Sequence, residues 1–429
     1  MDLRVQLIQD YEEGHSIAAL AAIYGVSRKT VYKWLARYEA EGAAGLSDRP
    51  RAPQHSPHRV GEDLIAHIIA ARQRWRWGPR KLRVKLAAAH PDVDWPAEST
   101  IGEVLQRAGL THPRKRRVRT PPYAQPFAAV EAPHQTWCAD FKGWFRTGDG
   151  TRCDPLTITD AHSRYLLRCH IVAKTDTTPV AAIFDAAFRE HGLPLVIHTD
   201  NGVPFASRAP GGLSRLSLRW VKLGITPQRS RPGSPQDNGR QERMHSTLKQ
   251  ATLHPPERTP ARQQQAFDRF QQEYNQERPH EALQDQTPAS HYTASCRPMP
   301  RRVPELEYSA DLLVRRVSQQ GSVMLHGERT FISEIFGYEW VGLRALDERY
   351  HEVLFGPVRL GFLDTHRHTF HRALGVGVRR RLRLEEHVEM PAGGKPGNPK
   401  AGFPPFPPSL EIARRFPHSP THDHSPYNP

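Results

Sequence analysis

TTPVAAIFDAAFREHG followed directly by LPLVIHTD, residues 177–200, carries the reading that decides the fold. The first part reads as a helix ended at Gly192, and the second as a short buried strand. Upstream, QTWCADFKGWF (135–145) and DPLTITDAHSRYLLRCHIVAK (154–174) read as three strands. Gly148-Asp149-Gly150 and Asp160-Ala161-His162-Ser163 are the expected reversals. A strand, a helix and another strand make a parallel crossover, so the centre of the chain is α/β.

Two acids stand out in these strands. Alternation puts Thr136, Cys138 and Asp140 on one face and Trp137, Ala139 and Phe141 on the other. Asp200 is the last residue before Asn201-Gly202 turns the chain. An unpaired charge in an otherwise apolar strand is costly and answers to a cation. Asp154 and Asp160 are read as turn residues, because Asp starts turns by bonding its own backbone. His198 shares a strand face with Asp200 and is given a supporting role.

A third acidic stretch is GSPQDNGRQERMHSTLK, residues 233–249. Ser234, Pro235 and Asp237 fit a helix start, with a hydroxyl cap, a Pro whose missing N–H is harmless, and an acid three residues after the cap. At 100° per residue Glu242, His245, Ser246 and Lys249 share one face, while Asp237 lies with Met244, Leu248 and Ala251, which are expected to pack on the sheet.

The chain has 429 residues, enough for three or more domains. Its 60 Lys and Arg against 45 Asp and Glu leave a formal charge of +15, which suits a polyanion, with nucleic acid ahead of a membrane surface. No apolar run reaches the roughly 20 residues of a membrane span, so the expectation is a soluble, cytoplasmic protein without a membrane partner. Cys138, Cys153, Cys169 and Cys296 are scattered, which supports neither a disulfide framework nor a zinc knuckle.

Residues 1–44 read as a helix-turn-helix domain. Ile17, Leu20, Ala21 and Tyr24 have helical spacing, the chain breaks at Gly25, and Ser27 caps a second helix whose Val31 and Leu35 face inward. This leaves Arg28, Lys29, Thr30 and Lys33 where a recognition helix meets DNA. Residues 58–112 read as a second helix-turn-helix or winged-helix-like unit, with Arg80 and Lys81 as DNA-binding candidates and Trp75 and Trp77 as packing residues. Ser99 or Thr100 is expected to cap its last helix, with Ile101, Val104, Leu105 and Ala108 as the apolar stripe. Residues 113–133 form a basic, Pro-rich linker whose Arg114, Lys115, Arg116 and Arg117 suit phosphate contact.

WCADF (137–141), HTDNGVPF (198–205) and DNGRQERMHSTLK (237–249), then YNQERPHEALQDQTPASHY (274–292), come in an order that resembles the DDE transposases of bacterial insertion sequences, with their retroviral-integrase-like core. The resemblance covers residues 134–292 and implies an RNase H-like core in which Asp140, Asp200 and Glu242 are the catalytic, metal-holding acids. Two Mg²⁺ ions, for which Mn²⁺ can substitute, suit such an oxygen-only set. Activity is then expected as a polynucleotidyl transferase and endonuclease. It would bind terminal inverted repeats, free 3′ ends and join them to target DNA, working as a homo-oligomer without a small-molecule substrate. Lys249 is expected to hold a phosphate near the metals.

The gap of 41 residues between Asp200 and Glu242 is longer than is usual in this superfamily. The extra length is assigned to ASRAPGGLSRLS (206–217), read as a surface insertion. Residues 303–366 alternate and turn like a small antiparallel β-barrel of five strands, SH3-like as in integrases. From 391 to 429, 11 of 39 residues are Pro, so this tail is expected to be disordered. Two rival functions share this fold: a DNA-binding regulator that has lost the chemistry, and a nuclease that cuts without joining.

Overall fold

The structure is a computed structural model that describes residues 3–49, 60–111, 127, 129–230 and 239–382. Arg114, Lys115, Arg116 and Arg117, the helix-start residues Ser234, Pro235 and Asp237, and the Pro-rich tail lie outside the described residues. The chain divides into two compact units, Met1–His67 and Ile68–Pro429.

The first unit holds three helices, α1 (Leu3–Glu12), α2 (Ile17–Ile23) and α3 (Arg28–Glu41). Gly25 takes the left-handed conformation the turn requires, at φ 62°. Ser27 caps α3 by accepting from the Thr30 N–H at 3.2 Å. Leu7, Ile8, Leu20, Val31 and Trp34 close a small core beneath the turn. The boundary between the units falls inside α4 (Glu62–Trp75), which is followed by α5 (Pro79–Ala89) and α6 (Glu98–Arg107). Helix α6 buries Ile101, Val104 and Leu105 as the stripe requires, but Ala108 stays exposed. Its cap also differs from expectation. The cap position is Ala97, with no side-chain bond, so Ser99 and Thr100 lie inside the first turn.

The central sheet is built on β1 (Thr136–Phe141), β2 (Phe145–Arg146), β3 (Arg152–Asp160), β4 (Leu166–Val172), β5 (Val196–Thr199) and β6 (Thr226–Arg229). Strand β3 runs antiparallel to β1, β2 and β4, while β1, β5 and β6 are parallel. The crossover is α7 (Thr177–His191), capped at Gly192 with φ 79°. One sheet face buries Trp137, Ala139, Leu156 and Ile158 against Phe184 and Phe188 of α7 and against Leu216 and Trp220 of α8 (Arg215–Lys222). The other buries Leu166 and Cys169 against Met244 and Leu248 of α9 (Gly239–Thr252) and Phe267, Phe270 and Tyr274 of α10 (Pro260–Gln276). Ala251 does not join Met244 and Leu248 and is exposed.

Helix α10 covers the open edge of β4 with side-chain amides. Asn275 accepts from the Leu166 N–H at 2.8 Å and donates to its carbonyl at 2.9 Å. Gln264 does the same across Ile171 and Cys169, and Gln271 donates to the Leu167 carbonyl at 3.1 Å. The amides therefore replace the strand that would otherwise pair there. Asn275→Ala would strand two backbone groups at a site only 2% exposed. The expected cost is about 2–3 kcal/mol in urea unfolding, against under about 1 kcal/mol for the edge-preserving Asn275→Gln. Equal, small losses in both variants would remove the edge-covering role.

The C-terminal part pairs β7 (Leu313–Arg316), β10 (Trp340–Ala345), β11 (Tyr350–Phe355), β12 (Val358–Asp364) and β13 (Thr369–His371) in one antiparallel sheet, with β8 (Ser322–Leu325) and β9 (Glu328–Phe331) as a separate hairpin. Strands thus continue past residue 366, and α11 (Val376–Arg381) follows them. The insertion at 206–217 is not a free surface loop. Leu213, and Leu218 and Val221 just beyond it, belong to the same buried cluster as Phe336, Val353, Phe355 and Leu360 of the C-terminal sheets. Helix α8 therefore has two apolar faces: Leu216 and Trp220 enter the central core, and Leu218 and Val221 enter the C-terminal one.

Candidate active site

The parallel register of β1 and β5 pairs Ala139 with Thr199, so the next residues, Asp140 and Asp200, stand side by side at the ends of neighbouring strands. Asp200 is fixed locally. Its Oδ1 accepts the Gly202 N–H at 3.0 Å, and a Cβ at 202 would lie 3.1 Å from its Oδ2, so glycine keeps the carboxylate in place. Asn201 donates to the Ser230 carbonyl at 3.0 Å, and the Ser230 N–H bonds the Thr199 carbonyl at 2.9 Å, which ties the turn to β6.

Glu242 comes from the first turn of α9, and buried polar contacts aim that helix. Gln241 donates to the Cys138 carbonyl at 2.9 Å and accepts from Thr159 Oγ1 at 3.1 Å. Arg240 donates to the Ala161 carbonyl at 3.0 Å. One turn on, His245 Nε2 lies 2.8 Å from Thr157 Oγ1. The Thr157 hydroxyl gives its proton to the Asp140 carbonyl at 3.1 Å, so His245 Nε2–H is the donor to Thr157. His245 Nδ1 then presents a lone pair toward Asp140 Oδ2, 3.9 Å away. Burial, then Lys142, holds the imidazole down at about 4, so this contact is not an ion pair near neutral pH.

The electrostatics tie the three acids together. Burial, then Asp200 and further Glu242, pushes the Asp140 carboxyl up to about 7. Lys142, held below its ordinary value by burial and then Lys249, is the near cation. Among the described residues no three Asp, Glu, His or Cys side chains close into a group that would hold an ion. Asp140 and Asp200 end neighbouring strands and Glu242, exposed on α9, adds to the negative field at Asp140, an all-oxygen set whose charge a divalent cation would relieve, and in that sense they fit one.

The other expected residues fall in different places. Arg28, Lys29 and Lys33 are exposed on α3, and Thr30 Oγ1 bonds Ser27 Oγ at 2.9 Å. Lys249 is exposed on α9. Arg80 and Lys81 turn onto the core. Arg80 pairs with Asp285 at 2.8 Å and Glu281 at 3.1 Å, and Lys81 Nζ donates to the Pro279 carbonyl at 2.5 Å. Trp77 packs there too, donating to Glu273 at 3.0 Å. Asp160 is a turn residue, as expected: its carboxylate accepts from Ser163 N and Oγ and from His134 N. Asp154 instead lies inside β3, 5% exposed, and pairs with Arg152 Nε at 3.0 Å. His198 is buried with Nε2 3.0 Å from Ser230 Oγ, a contact of the β5–β6 edge. Sequence places His245 on the face of Glu242 but gives neither its bond to Thr157 nor any role for Gln241. Their four-residue spacing beside Glu242 was the available signal.

Comparison with known proteins agrees with this layout. Residues 3–54 match a Helix-turn-helix domain, 30–105 a Homeodomain-like domain, and 130–235 and 223–288 an Integrase core domain. A 31.7 kDa protein of insertion element IS407 from Burkholderia multivorans is 26% identical over 245 residues, covering 56% of this chain and 84% of that protein. Among solved structures, the HTLV-2 integrase catalytic core domain in complex with magnesium is 18% identical, covers 38% of this chain and 98% of that one, and superposes with a TM-score of 0.30. A simian T-cell lymphotropic virus intasome is 13% identical, covers 68% and 97%, and gives 0.33. No helix among the described residues is long and apolar enough to cross a membrane. The chain thus carries helix-turn-helix modules ahead of an integrase core, and it is similar to a protein of a bacterial insertion element.

Proposed function

We propose that the chain binds the terminal inverted repeats of its element, cuts phosphodiester bonds to free 3′ ends and transfers those ends into target DNA. The observation that carries this is the approach of Asp140, Asp200 and Glu242 from two adjacent strand ends and a helix, with the Asp140 carboxyl raised by its burial and by the other two. These acids would hold two Mg²⁺ ions, which supply a Lewis acid and lower the pKa of an attacking hydroxyl or water. The chain's own part is positional. Gln241 and His245 fix the pitch of α9, Gly202 and Ser230 fix Asp200, and the sheet face keeps bulk water from one side of the acids.

Arg28, Lys29, Thr30 and Lys33 are the groove contacts in this reading, while Lys249 and Arg114 to Arg117 contact phosphates. Arg80 and Lys81 would have to leave Asp285, Glu281 and the Pro279 carbonyl to reach DNA. The division into 1–44, 58–112, 134–292 and 303–366 belongs to the same reading, with the C-terminal sheets as an SH3-like barrel that holds DNA or a second subunit of a homo-oligomer. Action in the cytoplasm, on the nucleoid, follows from that substrate.

Incubating the full chain with Mg²⁺ and labelled terminal-repeat duplex tests it. Cleavage followed by joining to a second duplex is the expected result. Binding without cleavage would mean a regulator, and cleavage without joining a nuclease; either outcome overturns the proposal.

A further inference from the structure

Near the N-terminal end of α9, Arg164, Arg240 and Arg243 meet with no ion-pair partner among the described residues. Arg240 and Arg243 are three residues apart and so share a flank of the helix, about 160° and 100° around it from Glu242. Arg164 reaches the same place from the turn after β3. With Phe127, Ala161 and Tyr274, Arg164 and Arg240 line a cleft there. Burial, then Arg240 and Arg243, holds the Arg164 guanidinium below its ordinary value, so the three cations feel one another.

Half-buried arginines elsewhere in this chain either pair with a carboxylate or, like Arg297, spend their donors on several backbone carbonyls. Arg168 pairs with Glu190, Arg219 with Asp185, and Arg349 with Asp364. Among the described residues no carboxylate lies within ion-pair distance of Arg164, Arg240 or Arg243. Asp160 lines the cleft, but its two oxygens are occupied by Ser163 and His134. That same network fixes the turn and holds Arg164 in the left-handed region, at φ 62°. Arg240 gives one N–H to the Ala161 carbonyl and keeps its remaining donors, so three guanidiniums placed together match the oxygens of a phosphodiester.

We propose that Arg164, Arg240 and Arg243 form a phosphate clamp that grips the DNA backbone beside Glu242, on the flank of α9 away from Lys249. This rests on the reading of the chain as a DNA-cutting transposase and adds a second anchor to it. Along α9, Arg240 and Lys249 are roughly 13 Å apart at 1.5 Å per residue, so the strand would be held on both sides of the acids.

The test uses the full chain and a fluorescein-labelled DNA duplex, with binding followed by anisotropy across a NaCl series. Each phosphate released from contact lowers the slope of log K against log salt by about 0.9. Arg164→Gln with Arg243→Gln should flatten that slope by about 2, and Arg164→Lys with Arg243→Lys should restore most of it. If the double variant does not fold, exposed Arg243→Gln alone should flatten the slope by about 1. An unchanged slope in a folded Gln variant overturns the clamp. Mg²⁺-dependent cleavage by the unaltered chain is read in parallel. Cleavage with an unchanged slope sinks the clamp alone, whereas a flattened slope with no cleavage sinks the transposase reading and leaves the phosphate site standing.

Discussion

Asp140→Asn is expected to stop Mg²⁺-dependent DNA cutting, by roughly 10³-fold or more, while making the folded chain more stable above neutral pH. Asp140 sits on β1 beside Asp200, and burial, then Asp200 and Glu242, pushes its carboxyl up to about 7. The folded chain therefore keeps a proton that the unfolded chain gives up near pH 4. Stability from the neutral carboxyl is fully present below about pH 4 and is lost as pH rises through about 7. An amide has no proton to lose. The gain in melting temperature of Asp140→Asn over the parent, measured in EDTA, should be near zero at about pH 4, grow toward about pH 7 and then level at a few degrees. Mg²⁺ should raise the melting temperature of the parent and not of the variant. Full cleavage by the Asn variant, or no stability gain at alkaline pH, would remove Asp140 from the site.

This trade between stability and activity follows from the proposed role of Asp140 and its burial. A carboxylate at the end of a buried strand is an expensive residue unless a cation answers it. His245, neutral and bonded to Thr157, does not answer it, and Lys142 does so only in part. The strain is local to the three acids, because the helix that delivers Glu242 is otherwise well satisfied by Gln241, Met244 and Leu248.

The parts of the fold that were legible in sequence are those whose cause is local. Helix α7 ends at Gly192 because glycine accepts φ 79° there, and the helical spacing before it is visible without any partner. The Ser27 cap and the Gly25 turn are equally short-range. What stayed illegible depends on distant partners. Leu218 and Val221 give α8 a second apolar face, but their partners Val353 and Leu360 lie more than a hundred residues on. Arg80 looks like any basic helix residue until Asp285 is brought against it. Gln264, Gln271 and Asn275 read as a solvated polar helix, and only the bare edge of β4 makes them structural. Within the proposed site, Asp140 and Asp200 stand out in sequence through their strand context together with the resemblance of the surrounding motifs. The partners of Gln241 and His245 do not, since their spacing beside Glu242 does not reveal that a backbone carbonyl and a threonine await them.

Val221→Asp should detach the C-terminal sheets from the central core without unfolding the core. Val221 is 3% exposed, and Gly356 has no side chain where a Cβ would approach Val221 Cγ1 to 3.1 Å. A carboxylate forced into that apolar contact costs about 4 kcal/mol or more, because no cation is buried with it. Lys222 is next in sequence, but its Nζ is already held by Glu339 at 2.9 Å and Glu305 at 3.3 Å. Leu216 and Trp220 point into the other cluster, so the central sheet keeps its own packing. The expected result in calorimetry is a split of one transition into two, the lower belonging to the C-terminal sheets. Limited proteolysis should then cut between α10 and β7. Arg215→Ala, exposed on the same helix, should stay within about 0.5 kcal/mol of the parent and serve as the control. A single transition at the parental temperature in Val221→Asp would mean that α8 does not join the two cores, and the region from 206 to 217 would revert to a surface insertion.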